Sequence, residues 1–199
     1  ILLIAQEMDY LQLGNVSLDG SKIHADASKS KAVSYKRLLV IDAHLQAEVN
    51  ELFDLAEAAD GGQLPTEMNI PDEIERRQQQ RERLAEAKKV LEARAQAGYE
   101  VEKAEYDAKM QARAEKEAKN GRKLRGRPPK PPTPGPCDKD QYNFTDPESR
   151  IMKNATNSGF DQHYNVQVVV EHDSRLIVGN WLCDHTNDKQ AALPTIDTV

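Results

Sequence analysis

Cysteine, tryptophan, phenylalanine and long apolar runs are what this chain has least of. Its 199 residues hold two cysteines, one tryptophan and three phenylalanines. Cys137 and Cys183 lie far apart and form no CxxC pair, which sets aside a disulfide scaffold and a zinc ribbon and leaves a reducing cytoplasm as the default. No stretch approaches the ~20 apolar residues of a membrane span, so no membrane partner is expected. The opening ILLIAQEMDY lacks the basic start and cleavage site of a signal peptide. At 38% hydrophobic, 5% aromatic and a mean hydropathy of -0.75, the composition is poor for one compact core, so much of the chain is expected outside it. Acidic residues outnumber basic ones 33 to 27, for a net charge of -6. That balance excludes a wholly basic nucleic-acid binder and leaves room for local basic patches. Ile1 is no initiator and the last segment stops inside what reads as a helix; the expectation is a fragment of a longer protein.

What is present falls into four stretches: 1–32, 33–118, 119–142 and 143–199. Apolar residues at Leu2, Leu3, Met8 and Leu11 suit a short helix ending near Gly14. A strand is expected over 16–24, from Val16, Leu18 and Ile23, with Asp19 and Gly20 at a bend or at its end. From Ser34 the period becomes helical: Leu38, Ile41, Leu45, Val49, Leu52, Leu55 and Ala59 make one apolar stripe, closed by Gly61 and Gly62. Residues 72–119 are good helix formers with a thin stripe and a weak point at Gly98, which suits an antiparallel helical hairpin or a coiled-coil arm. KNGRKLRGRPPKPPTPGP, 119–136, holds neither helix nor strand and reads as a basic polyproline linker. Beyond it, apolar runs at 164–170 and 176–183 read as a β-hairpin. Thr186 to Val199 reads as the start of a helix with Asn187 or Asp188 as cap. Without the helical insertion and the linker the order is strand, strand, strand, helix. The expected class is therefore α/β: three antiparallel strands and the start of a crossover helix, in a mixed sheet whose fourth, parallel strand would come next.

An acid held at a strand edge is how two-metal phosphoryl-transfer enzymes place a magnesium ligand, which makes Asp19 a candidate. One carboxylate cannot hold two divalent ions, and Asp19-Gly20 taken alone suits a turn. Lys22, Lys29 and Lys31 suit phosphate contacts or a solvated charge cluster.

VSLDGSKIHADASKSK, 16–31, resembles the first-aspartate segment of bacterial insertion-sequence transposases of the DDE type, with Ser21 where the family more often has threonine. NFTDPESRIMK, 143–153, with GFDQHYNVQVVVE, 159–171, resembles the second signature of the branch that carries a long helical insertion. NDKQAALPTID, 187–197, is similar to the segment before the second catalytic aspartate. The resemblance implies a ribonuclease H-like core with Asp19 as its first metal-binding acid and the other two acids beyond Val199. Asp184, Asp188 and Asp197 then read as loop, cap and helix residues. It implies two magnesium ions, with manganese possible, that activate water to cut a DNA strand and then the 3' hydroxyl to attack target DNA. The implied partners are transposon-end and target DNA and a second copy in a synaptic homodimer, in the nucleoid of the cytoplasm. The fragment alone is expected to be inactive. Lys22 becomes the candidate phosphate contact beside the metals, Asp146 and Arg150 a bracing pair, and Asn165 and Gln167 side chains aimed at DNA or the active site; a purely structural role for the last four, satisfying backbone groups at strand ends, is the alternative.

Two further readings stand beside this one. Arg125-Gly126-Arg127-Pro128 resembles an AT-hook core, two arginines flanking glycine for the narrow minor groove, with Lys123 and Lys130 as phosphate contacts; basic linkers are common, so a plain flexible tether is the expected reading and groove binding the alternative. Cys137, His163, Cys183 and His185 invite a zinc reading, but only Cys183 and His185 are close, so a buried thiol and a surface imidazole are expected. The competing class for the whole chain is a non-enzymatic helical DNA- or protein-interaction module, a degenerate transposon remnant.

Overall fold

The structure is a computed structural model, and it describes residues 1–59, 69–154, 159–184, 186, 188 and 191–199. The elements in chain order are α1 (Leu2–Glu7), β1 (Val16–His24), β2 (Ala32–Ser34), α2 (Tyr35–Ala59), α3 (Ile70–Asn120), β3 (Gln141–Asn143), β4 (Arg150–Lys153), β5 (Phe160–Glu171), β6 (Ile177–Cys183) and α4 (Ala192–Ile196). The class is α/β, with a long helical insertion between strands. Contacts divide the chain into two units, Ile1–Ala32 with Asn143–Val199, and Val33–Tyr142. The short ladder of β2 and β3 lies where the chain passes from one unit to the other.

The first unit is an antiparallel sheet built around β5. That strand pairs with β1 along one edge, from Val16 opposite Glu171 to His24 opposite His163. Its other edge is shared end to end, by β4 at 160–163 and by β6 at 165–170. The hairpin read at 164–183 is β5 and β6. Two expectations change here. Asp19 and Gly20 stand in the middle of a nine-residue strand, not at a bend or an end. A fourth strand, β4, lies beside β5; at four residues it is too short to show an alternation.

The second unit is an antiparallel pair of helices. Leu38 and Leu45 of α2 are buried with Leu84, Ala87 and Leu91 of α3, and each such leucine contributes roughly 1.5–3 kcal/mol on burial. Arg81 pairs with Asp42 at 2.8 Å and Arg77 with Glu48 at 2.6 Å, so the helices run in opposite directions. The hairpin expected within 72–119 is instead α2 with the first part of α3, and α3 runs unbroken through Gly98 for 51 residues. A mid-helix glycine costs roughly 1 kcal/mol, which the summed propensity of the surrounding Glu, Lys, Ala and Arg outweighs. Pro71 in the first turn, Asp72 and Glu73 beside it, Lys119 in the last turn and Gly121 at the C-cap give α3 both of its ends. Leu55, expected in the stripe, is 56% exposed, because it lies past the level of α2 that faces the start of α3. Gly61 and Gly62, read as the end of α2, lie outside the described residues, as do His185 and Asn187. No helix among the described residues is long and apolar enough to cross a membrane.

The basic segment after α3 is no free tether. Asp140 O accepts from Tyr35 N–H (2.8 Å) and Tyr35 donates its hydroxyl to Glu92 (2.9 Å), so the segment has returned to the level of Glu92 by residue 140. Glu92 and Asn120 are separated by roughly 40 Å of helix at 1.5 Å per residue. Residues 121–138 in polyproline form span about 55 Å, enough to make that return as a strap along the helix.

Candidate functional site

Strand alternation decides which side chains share the ground around Asp19. Side chains on successive strand residues point to opposite faces, and residues in register share a face. Ser17, Asp19, Ser21 and Ile23 therefore stand on one face with Val170, Val168, Val166 and Tyr164. Leu18, Gly20, Lys22 and His24 stand on the other with Val169, Gln167, Asn165 and His163.

The Asp19 face is open and largely apolar. Ile23, Ile177 and Leu182 on it are 54, 56 and 58% exposed. Asp19 itself is exposed, and its Oδ1 accepts the backbone N–H of Gly20 at 2.8 Å. At one end of this face Tyr164 donates its hydroxyl to both oxygens of Asp146, each at 2.7 Å. Burial, and then this bond, push the phenol up to about 12, which keeps it a donor. Asp146 also accepts the N–H groups of Glu148 and Ser149, so it organises the turn before β4.

The opposite face is buried and polar. Asn165 is 1% exposed and Gln167 0%. Asn165 Nδ2 donates to Asp188 Oδ1 at 2.8 Å, and Gln167 Nε2 donates to the same oxygen at 2.7 Å and to Asn165 Oδ1 at 3.0 Å. This cluster accounts for Gly20. A Cβ there would lie 2.3 Å from Gln167 Nε2 and 2.8 Å from Asp188 Oδ1, so any side chain at position 20 would have to displace both from their mutual bond. Farther along the same face α4 covers β6, where a Cβ on Gly179 would lie 2.6 Å from Thr198 Oγ1. At the hairpin end the buried Glu171 accepts the hydroxyl and N–H of Ser174 and the N–H of Asp173. Those bonds, the Ser174 hydroxyl first, hold its carboxyl down at about 2.

The side chains singled out in the sequence thus fall into separate places. Asp19 is on the open face, bonded to the N–H of Gly20. Lys22 is on the other face, where its ammonium donates to Lys153 O at 3.0 Å. Asn165 and Gln167 bond each other and Asp188 beneath the sheet. Lys29 pairs with Asp161 at 3.4 Å, and Lys31 is exposed. Asp146 and Arg150 each have a firm partner, but not each other: Asp146 takes Tyr164, and Arg150 donates to Asp184 at 2.5 Å. Lys123, Arg125, Arg127 and Lys130 are exposed on the strap of the second unit. Of the zinc candidates, His163 is buried against the ring of His24 (centroids 4.2 Å apart), Cys183 is buried, and Cys137 is exposed. Sequence reasoning missed Asp188 as the acceptor of the buried amides and His24 as the partner of His163. The alternation of polar residues at 163, 165 and 167 is the signal for a buried polar row, which fits the structural role for Asn165 and Gln167 and not side chains aimed at DNA or the active site.

These residues do not by themselves fit a pair of magnesium ions. Asp19 offers one carboxylate, half engaged by Gly20, and no group of three or more His, Cys, Asp or Glu suited to a metal occurs among the described residues. What the site offers is a single exposed acid on a strand whose backbone is fixed by its ladder to β5. Comparison with family models, curated proteins and solved structures finds no match for the chain.

Proposed function

We propose that the chain is part of a DNA-cleaving and strand-transferring enzyme of the insertion-sequence DDE type, with a ribonuclease H-like core in which Asp19 is one of several acids. The observation that carries this reading is the placement of Asp19: mid-strand, exposed, and next to a glycine whose lack of a Cβ lets the strand lie flat on a rigid polar cluster. The element order β1, β5, β6, α4, with β5 in the middle, suits the start of such a core. The open apolar face around Asp19 suits a further element, one that would bring the remaining acids from outside the described residues.

Within this reading the chain's own residues do a limited task. β1 fixes the Asp19 carboxylate, and the buried amides and Asp188 fix β1. Magnesium or manganese binding would need the other acids. The test uses a protein extended beyond Val199 and duplexes carrying the element ends. Asp19→Ala is expected to lower strand cleavage by at least about a hundredfold, with duplex affinity within twofold of the parent. Cleavage near the parent rate in Asp19→Ala would sink the proposal.

The second reading, a non-enzymatic DNA- or protein-interaction module, is favoured by one observation: Asp19 belongs to no group of three or more His, Cys, Asp or Glu suited to a metal among the described residues. It requires that no extended form of the protein cut DNA at all.

A further inference from the structure

The strap after α3 carries the densest positive charge in the chain. Lys119, Arg122, Lys123, Arg125, Arg127 and Lys130 fall within 12 positions, and no acid occurs from Ala118 to Cys137. The five from Arg122 to Lys130 are exposed, and none of those five has an ion-pair partner among the described residues. In a chain of net charge -6, a run of unneutralised cations is a local device.

The backbone that carries them is pinned. Arg113 of α3 donates from one guanidinium nitrogen to Leu124 O at 2.9 Å and to Gly126 O at 3.1 Å. Glu117 accepts Leu124 N–H at 3.0 Å and is itself paired with Arg113 at 3.1 Å. The pair at positions 113 and 117 therefore acts as a clamp, and it takes hold of main chain only. The arginine side chains on either side of Gly126 stay free. Gly126 has φ +107, a conformation that side-chain-bearing residues rarely adopt, and nothing lies within 4 Å of where a Cβ would stand. Pro128 and Pro129 then stiffen the exit.

We infer that Arg125-Gly126-Arg127, presented by the Arg113–Glu117 clamp, is a binding site for the minor groove of A·T-rich duplex DNA. The groove is about 6 Å wide, and narrower and more negative in A-tracts, so it admits an extended backbone without a Cβ and rewards arginine on either side. Lys123 and Lys130 reach the flanking phosphates. Arg113 is a positioning residue: it touches no DNA and holds the main chain in the shape the groove accepts. The inference stands apart from the reading of Asp19, since it concerns DNA binding by the second unit and no cleavage.

The test is fluorescence anisotropy of the whole 199-residue chain with 12-base-pair duplexes, one centred on AATT and one on GGCC. The A·T duplex is expected to bind at least tenfold tighter and to be displaced by netropsin, and Arg125→Ala with Arg127→Ala is expected to abolish the difference. Lys123→Ala with Lys130→Ala is expected to lower both affinities together and to reduce the slope of log K against log salt by about 1.8, leaving the ratio intact. Arg113→Ala is expected to shrink the A·T to G·C ratio severalfold with helix content by circular dichroism unchanged. Equal affinity for the two duplexes, an A·T preference that survives the double arginine variant, or tighter binding to single-stranded RNA or anionic vesicles would overturn the site. A ratio unchanged in Arg113→Ala would overturn the positioning role.

Discussion

The two faces of β1 differ sharply, although they are built from alternating residues of one strand. On one, Asp19 stands exposed among aliphatic side chains. On the other, Gly20 lies against a buried row of His163, Asn165, Gln167 and Glu171. The lesson concerns what a polar residue in a strand is for. The open face carries Asp19, on which little depends, with the Tyr164–Asp146 bond at one end; on the covered face Asn165, Gln167 and Asp188 bond one another, and Glu171 holds the hairpin turn through Ser174 and Asp173. Under the proposed reading chemistry belongs to the first and stability to the second, and substitutions on the two faces should separate those roles.

The largest effect is expected at Gly20. Gly20→Val inserts a branched side chain where even a Cβ would meet Gln167 Nε2 at 2.3 Å, and the amide cannot swing away without losing its bonds to Asp188 and Asn165. The expected cost is about 3 kcal/mol, the upper end for overpacking, read as a lowered urea midpoint. Asp188→Ala comes next. It removes an acceptor shared by two buried amides and should cost about 2 kcal/mol by the same measurement. A neutral outcome for Asp188→Ala would mean that water replaces the carboxylate and that the polar row is not self-contained.

These two sites also show how far the sequence could be read. The helical stripe from Leu38 to Leu52 and the hairpin of β5 and β6 were legible because local periodicity reports a buried face directly. Glycine at position 20 was not, because its cause lies in Gln167 and Asp188, far along the chain; next to aspartate it looked like a turn. The continuity of α3 through Gly98 depends on a sum over 51 residues, which one conspicuous breaker obscured. The separation of Lys22 from Asp19 was available from parity alone, since three residues along a strand reverse the face. That of Asn165 and Gln167 from Asp19 needed the register of β1 on β5, which sequence pattern does not supply.

A smaller and conditional effect is expected at the hairpin end of the covered face. Glu171 has its carboxyl held down at about 2, from an ordinary value of 4.5, by Ser174 and Asp173. A carboxyl depressed on folding contributes stability that is complete above its unfolded value and lost as pH falls toward its folded one. Glu171→Gln should therefore be less stable than the parent at pH 7, with the gap closing from about pH 4.5 downward and gone near pH 2. Urea unfolding of both proteins at stepped pH checks this. A gap that stays constant with pH would mean that the glutamine fails by shape, not by charge.

The smallest effect is expected on the open face, and it is the one that tests the comparison most directly. Asp19→Ala removes an exposed side chain whose bond to Gly20 N–H is local, so stability should change by no more than about 0.5 kcal/mol. The strand that carries it is held by its ladder to β5 and by the packing of Gly20, neither of which involves the carboxylate. A large loss of stability in Asp19→Ala would make the aspartate a structural residue and remove the reason to regard it as an exposed functional acid. A neutral result, obtained alongside a costly Gly20→Val, would leave two adjacent residues with opposite duties: Gly20 to seat the strand, and Asp19 to face whatever the open side of the sheet is built to meet.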